Sequence, residues 1–128
     1  MLYLGLDVHF KRTSICGLDE NGKELFSREV KGPLPEVIAE VKGIRDRSLD
    51  GIAVCFEASG SSGFLYDELR KVTSRVVVAN PSRVRLIFQS KRKNDRIDAK
   101  KLATLLFLGQ VPSAYGPPEK PDPKPKGS

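Results

Sequence analysis

The sequence predicts an α/β domain built on a mixed five-stranded sheet with flanking helices. Three observations carry this. Residues 2–8, LYLGLDV, are almost wholly apolar, as suits a central strand covered on both faces. Next, Asn21-Gly22 supplies a strong hairpin signal between two further strand-like runs. Beyond it, apolar strand segments alternate with helical ones, the pattern of parallel strands joined by right-handed crossovers.

Taken in order, Leu2 to Val8 forms the first strand and Thr13 to Leu18 the second. Glu24 to Val30 returns as the third after Asp19-Glu20-Asn21-Gly22. Gly32-Pro33-Leu34-Pro35 breaks the pattern. Glu36 to Arg47 reads as a helix with Val37, Ile38 and Val41 on one side. Asp50-Gly51 opens the fourth strand, Ile52 to Phe56, which ends at Glu57. The small-residue turn Ala58 to Gly63 offers serine N-caps for a helix from Phe64 to Val72. Arg75 to Ala79 is a β-branched fifth strand closed by Asn80-Pro81. Ser82 to Lys93 admits either a partial helix or a loop. Asn94 or Asp95 is expected to cap the last helix, which fades near Gly109. Six of the nine prolines lie from Pro112 onward, so the predicted division is a folded domain over 1–110 and an extended or disordered tail over 111–128.

The order β-β-β-α-β-α-β-α is the ribonuclease H-like arrangement, in which the first and fourth strands are neighbours. Asp7 and Glu57 each terminate an apolar strand. As parallel neighbours they would reach one carboxyl edge, where open α/β sheets bind ligands.

Composition narrows the class. The chain has 128 residues, 39% hydrophobic and 30% charged, enough for one domain with its own core. No apolar run approaches the roughly 20 residues of a membrane span, and the first residues lack the basic start and cleavage site of a signal peptide. Cys16 and Cys55 have no metal-type spacing and sit in apolar surroundings, so reduced core thiols in a cytoplasmic protein are expected. The net charge of +6 and pI of about 9.5 favour an anionic partner. Lys91, Arg92, Lys93, Arg96, Lys100 and Lys101 crowd into eleven residues, with Arg83 and Arg85 just upstream. A solvated surface accounts for such a cluster when it stands alone. Beside inward-facing acids it favours a docked phosphate backbone.

Those acids are Asp95 and Asp98. At about 100° per residue they share a third of the helix circumference with Leu102, Leu105 and Leu106, so the carboxylates are expected to point toward the core. A charge placed there is costly unless paired or metal-bound. With Asp7 and Glu57 they make four acids from three elements. Residues three apart on a helix have Cβ atoms about 5–6 Å apart, a spacing that can embrace two ions about 3.5–4 Å apart. Carboxylate oxygens suit Mg²⁺ or Mn²⁺. Each acid also has an ordinary explanation, as turn former, surface ion-pair partner or helix cap. Those explanations leave the convergence unaccounted for. His9, two residues after Asp7, is read as a strand-end histidine in preference to a contact for metal-bound water.

Gly5-Leu6-Asp7-Val8-His9, Phe56-Glu57-Ala58-Ser59-Gly60, Asn80-Pro81 and Lys93 to Leu102 (KNDRIDAKKL) together resemble the DEDD insertion-sequence transposases. The Lys-x-Asp-x-x-Asp-Ala-x-x-Leu element is the most specific part. Asn94 stands where the family commonly has Thr, and Ala58-Ser59 departs from its usual Glu-x-Thr. The resemblance covers residues 1 to about 110 and implies a fold similar to the Holliday-junction resolvase RuvC. It further implies metal-dependent DNA cleavage and strand transfer by Asp7, Glu57, Asp95 and Asp98. A second domain bearing a nucleophilic serine, a structured guide RNA and a homo-oligomer are implied as partners. No counterpart of that serine domain is recognised here, so the chain by itself is expected to be inactive in recombination.

Two other functions compete, a stand-alone RuvC-like Holliday-junction endonuclease and a non-catalytic nucleic-acid-binding module. Sugar kinases and actin-like ATPases share the opening Gly-x-Asp, but they need a duplicated fold and a second phosphate loop.

Overall fold

A computed structural model describes residues 1–88 and 97–114. Among these, β1 (Leu2–Val8), β2 (Arg12–Leu18) and β3 (Glu24–Lys31) form an antiparallel meander. Helix α1 (Leu34–Asp46) leads to β4 (Ile52–Glu57), and α2 (Ser62–Arg70) leads to β5 (Arg75–Ala79). Helices α3 (Pro81–Ile87) and α4 (Ala99–Leu108) follow. The sheet order is β3-β2-β1-β4-β5, with β1–β4 and β4–β5 parallel. The predicted mixed five-stranded sheet and its neighbouring first and fourth strands are therefore present.

Strand alternation sorts the side chains into two layers. Leu4, Leu6, Val54 and Phe56 pack with Val37 and Val41 of α1 and Leu65 and Leu69 of α2. On the other face, Ala53 and Cys55 meet Leu102, Leu105 and Leu106 of α4, while Cys16 and Leu18 meet Ala99 and Ala103. Both cysteines are buried and neither forms a disulfide. No helix among the described residues is long and apolar enough to cross a membrane.

Two expectations are corrected, and one left open is decided for the described residues. Helix α4 begins at Ala99, with Asp98 as its N-cap in place of Asn94 or Asp95. Asp98 has extended backbone (φ −85°, ψ 174°), and its carboxylate accepts the Lys101 N–H at 2.9 Å. Asp98 is consequently exposed and does not continue the leucine stripe. Several side chains in this stretch can cap a helix, and tertiary packing selects among them: Ile97 is 3% exposed and packs with the α4 leucines, bringing the chain onto the sheet immediately before Asp98. Between Ser82 and Lys93, the described part is helical through Ile87, capped by the Asn80 side chain on Arg83 N–H at 3.2 Å. Finally, packing does not stop at 110. Asn80 N–H donates to Pro112 O and Ala114 N–H to Val78 O, both at 2.7 Å, and Val111 is 1% exposed. Residues 111–114 thus run along the outer edge of β5, which would otherwise present unpaired backbone groups. Gly109, in the left-handed region (φ 67°), ends α4, and Pro112 follows it without ending the fold.

Candidate active site

The sheet register builds the site. Ser14 pairs with Glu29, Asp7 with Ser14, and Glu57 with Ala79. Leu6 is level with Phe56 in the parallel β1–β4 pair, so Asp7 and Glu57 occupy the next rung together. Below this rung the α4-facing side is apolar or small, through Gly5, Cys16, Ala53 and Cys55. At the rung it turns polar on four adjacent strands. Helix α4 lies over this face with its N-terminus at the polar end, and Asp98 stands at that terminus.

Asp7 and Asp98 line one cleft of about 450 Å³, together with Arg12, Glu24, Glu29 and Lys100. The Asp7 side chain is 11% exposed, and its Oδ1 lies 3.1 Å from His9 Nε2. Lys100 Nζ is 3.9 Å from Glu24 Oε1 across the cleft. Glu57 borders Asp7 from the β4 side. Its Oε2 is buried and has no hydrogen-bond partner among the described residues. Burial pushes its carboxyl above the usual range, the Arg85 guanidinium pulls it back, and Asp7 pushes it up further.

That raised value sets a pH dependence. Unfolded, Glu57 titrates at the ordinary 4.5. Between that value and its higher folded one, the native state keeps a proton that the unfolded chain has released. Stability therefore falls as pH rises through this window. Glu57→Gln is expected to flatten this part of the curve and to be more stable than wild type above it. Urea unfolding from acid to neutral pH checks this, and an unchanged slope would count against a raised Glu57.

Asp7, Glu57 and Asp98 converge on one end of the sheet, whereas Asp95 lies outside the described residues. Among those described, no group of three or more His, Cys, Asp or Glu side chains is placed to hold a metal ion. The two-sided arrangement, Asp7 with Glu57 on the sheet and Asp98 on the helix, is what the fold provides.

Residues 4–120 match the family model of the IS110-type DEDD transposases, described as "Transposase". The chain belongs to this transposase family. No curated protein is significantly similar in sequence. Among solved structures, the Thermus thermophilus RuvC structure aligns with a TM-score of 0.56 at 15% identity, covering 88% of this chain and 99% of that chain. A ROK family transcriptional regulator, a homolog of the E. coli MLC protein, aligns with a TM-score of 0.47 at 16% identity, covering 67% of this chain and 29% of that chain. The fold is RuvC-like.

The basic residues of this transposase-family chain divide into two groups. Arg83 and Arg85 are exposed on α3, and Lys100 and Lys101 occupy the first turn of α4. Lys101 Nζ sits 5.5 Å over the Phe88 ring. Lys91, Arg92, Lys93 and Arg96 lie outside the described residues. Sequence reasoning missed Arg12, Glu24 and Glu29 in the cleft, and it missed Arg85 as the cation that moderates Glu57. The first omission had a detectable signal, because Arg12 and Ser14 share one face of a strand whose next such residues, Cys16 and Leu18, are buried.

Proposed function

We propose that this chain is the catalytic domain of a DNA transposase, performing metal-dependent strand cleavage and transfer at the Asp7–Glu57–Asp98 edge. The observation that carries this is the shared cleft of Asp7 and Asp98, beside a Glu57 whose buried oxygen has no hydrogen-bond partner among the described residues. An orphaned carboxylate oxygen is costly without a cation, and an all-oxygen donor set suits Mg²⁺ or Mn²⁺. Asp7, Glu57 and Asp98 would supply oxygen donors to such an ion, with Asp95 proposed as the fourth ligand that completes the set. When bound, the metal stabilises charge developing on the attacking and leaving oxygens of phosphoryl transfer.

The remaining chemistry belongs to the chain. His9, with Nε2 3.1 Å from Asp7 Oδ1, would steady that carboxylate at the strand end. Lys100 supplies positive charge on the cleft wall for a phosphate. The basic stretch from Arg83 to Lys101 extends that docking along a nucleic-acid backbone. By family resemblance, a serine-bearing domain, a structured guide RNA and a second copy of the chain complete the proposed assembly.

A crystal soaked in Mn²⁺ tests the metal site. Anomalous density bounded by Asp7, Glu57 and Asp98 is expected, and density only elsewhere on the molecule would refute the shared site.

A further inference from the structure

A second groove, of about 620 Å³, opens at the same carboxyl edge on the side of α1 and α2. Its walls include Phe10, Phe64, Pro33 and Pro35, and the Ser59–Ser61 turn lies at its rim. Phe10 is 92% exposed and Phe64 is 51% exposed. Phe10 sits in the β1–β2 turn, and Phe64 lies in the first turn of α2, so two separate elements hold aromatic rings at one opening. Isolated exposed hydrophobics are ordinary, whereas aromatics gathered around a concavity mark a binding surface.

We propose that this groove receives an unstacked nucleobase from a single DNA strand whose backbone runs to the acidic edge. The inference rests on the active-site reading above and adds a base-recognition site to it. Three features select this occupant. Among the described residues the groove is lined without a single Asp, Glu, Lys or Arg, so it suits a neutral group better than a phosphate. Its apolar rings match the faces of a base, and the Ser59 and Ser61 hydroxyls, 3.3 Å apart, offer donors and acceptors for a base edge. At Gly60, an added Cβ would meet nothing within 4 Å, so the rim is open to a chain passing over it. Position supplies the link to catalysis. His9 lines this groove with its Nε2 3.1 Å from Asp7 Oδ1, and the Ser59–Ser61 turn begins two residues after Glu57. A strand with a phosphate at the acids therefore has a flanking base at the groove. Stacking on aromatic rings is tolerant of sequence, since every base has a π-face.

The test uses the 128-residue chain and single-stranded DNA carrying 2-aminopurine, whose fluorescence reports unstacking and ring contact. Phe10→Ala and Phe64→Ala are each expected to weaken single-strand binding by about 5- to 150-fold. The slope of log K against log salt should stay unchanged, because no phosphate contact is removed. Phe10→Trp should retain binding, and affinity for a fully paired duplex should not depend on Phe10. Because Phe10 is almost fully exposed, its thermal midpoint serves as the folding control and should match wild type. Unchanged single-strand affinity and fluorescence in both alanine variants would overturn the groove while leaving the active-site reading intact. Equal losses on duplex and single strand, or a reduced salt slope, would also overturn it. So would a Phe10→Ala chain that loses self-association instead of DNA binding, since a second copy would then be the occupant. If wild type binds no oligonucleotide at any salt concentration, both readings fall together.

Discussion

Asp7→Ala or Asp98→Ala, in this domain joined to the serine-bearing domain proposed for it, is expected to abolish DNA cleavage and strand transfer. The loss should reach at least about a thousandfold, because a metal supplies several kcal/mol of charge stabilisation and each 1.4 kcal/mol is a factor of ten. DNA affinity should change little, since the docking proposed above uses basic side chains and not the acids. The converse set, Lys91, Arg92 and Lys93 to Ala, should lower the slope of log K against log salt by about two to three units. The two classes of variant therefore separate chemistry from docking. Asp98 adds a complication, because its carboxylate also caps α4 through Lys101 N–H. Asp98→Asn keeps a cap of equal quality while removing the charge, so it should fold like wild type and still fail in strand transfer. Retained transfer in Asp7→Ala would sink the assignment. Holliday-junction cleavage by the 128-residue chain alone would shift it to a stand-alone nuclease.

Much of this site was legible because strand ends obey simple rules. An apolar run that stops at a carboxylate places the acid at an edge, and the alternation of strands and helices places β1 beside β4. Asp7 and Glu57 follow from those two facts. The orientation of Asp98 was misread because the helical wheel assumed a helix extending back to Asp95. A 100° rotation per residue has no meaning before the first helical residue, and which of several cap-forming side chains wins depends on the burial of Ile97. The cleft residues on β2 and β3 escaped notice for a related reason. They matter through cross-strand register, which the hairpin at Asn21-Gly22 sets but which sequence alone does not expose, least of all with the irregularity at Gly17/Leu18. Phe10 was unreadable as a surface ring because a lone aromatic after a strand looks the same as a core residue.

Gly5→Ala is expected to produce the largest loss of stability. Gly5 lies in β1 under α4, and a Cβ there would stand 2.0 Å from Ala99 O and 2.6 Å from Ala103 N. Both are backbone atoms, so no rotamer change relieves the clash and the helix itself must lift. Overpacking costs about 1–3 kcal/mol when side chains can adjust, and here the cost should be about 3 kcal/mol or more. That is a large share of the roughly 5–15 kcal/mol that stabilises a domain, and the melting midpoint should drop by about 10 °C or more. Gly43→Ala provides the control. Its Cβ would meet only the Arg47 guanidinium at 3.4 Å, the mobile end of a side chain, and α1 should gain up to about 1 kcal/mol of helix propensity. The function follows the packing, because Gly5, Ala99 and Ala103 set the distance at which α4 carries Asp98 over Asp7. A Gly5→Ala chain kept folded by cold or osmolyte should therefore still bind Mn²⁺ more weakly than wild type. Wild-type stability in that variant would mean that α4 does not seat on β1 as closely as its small residues allow.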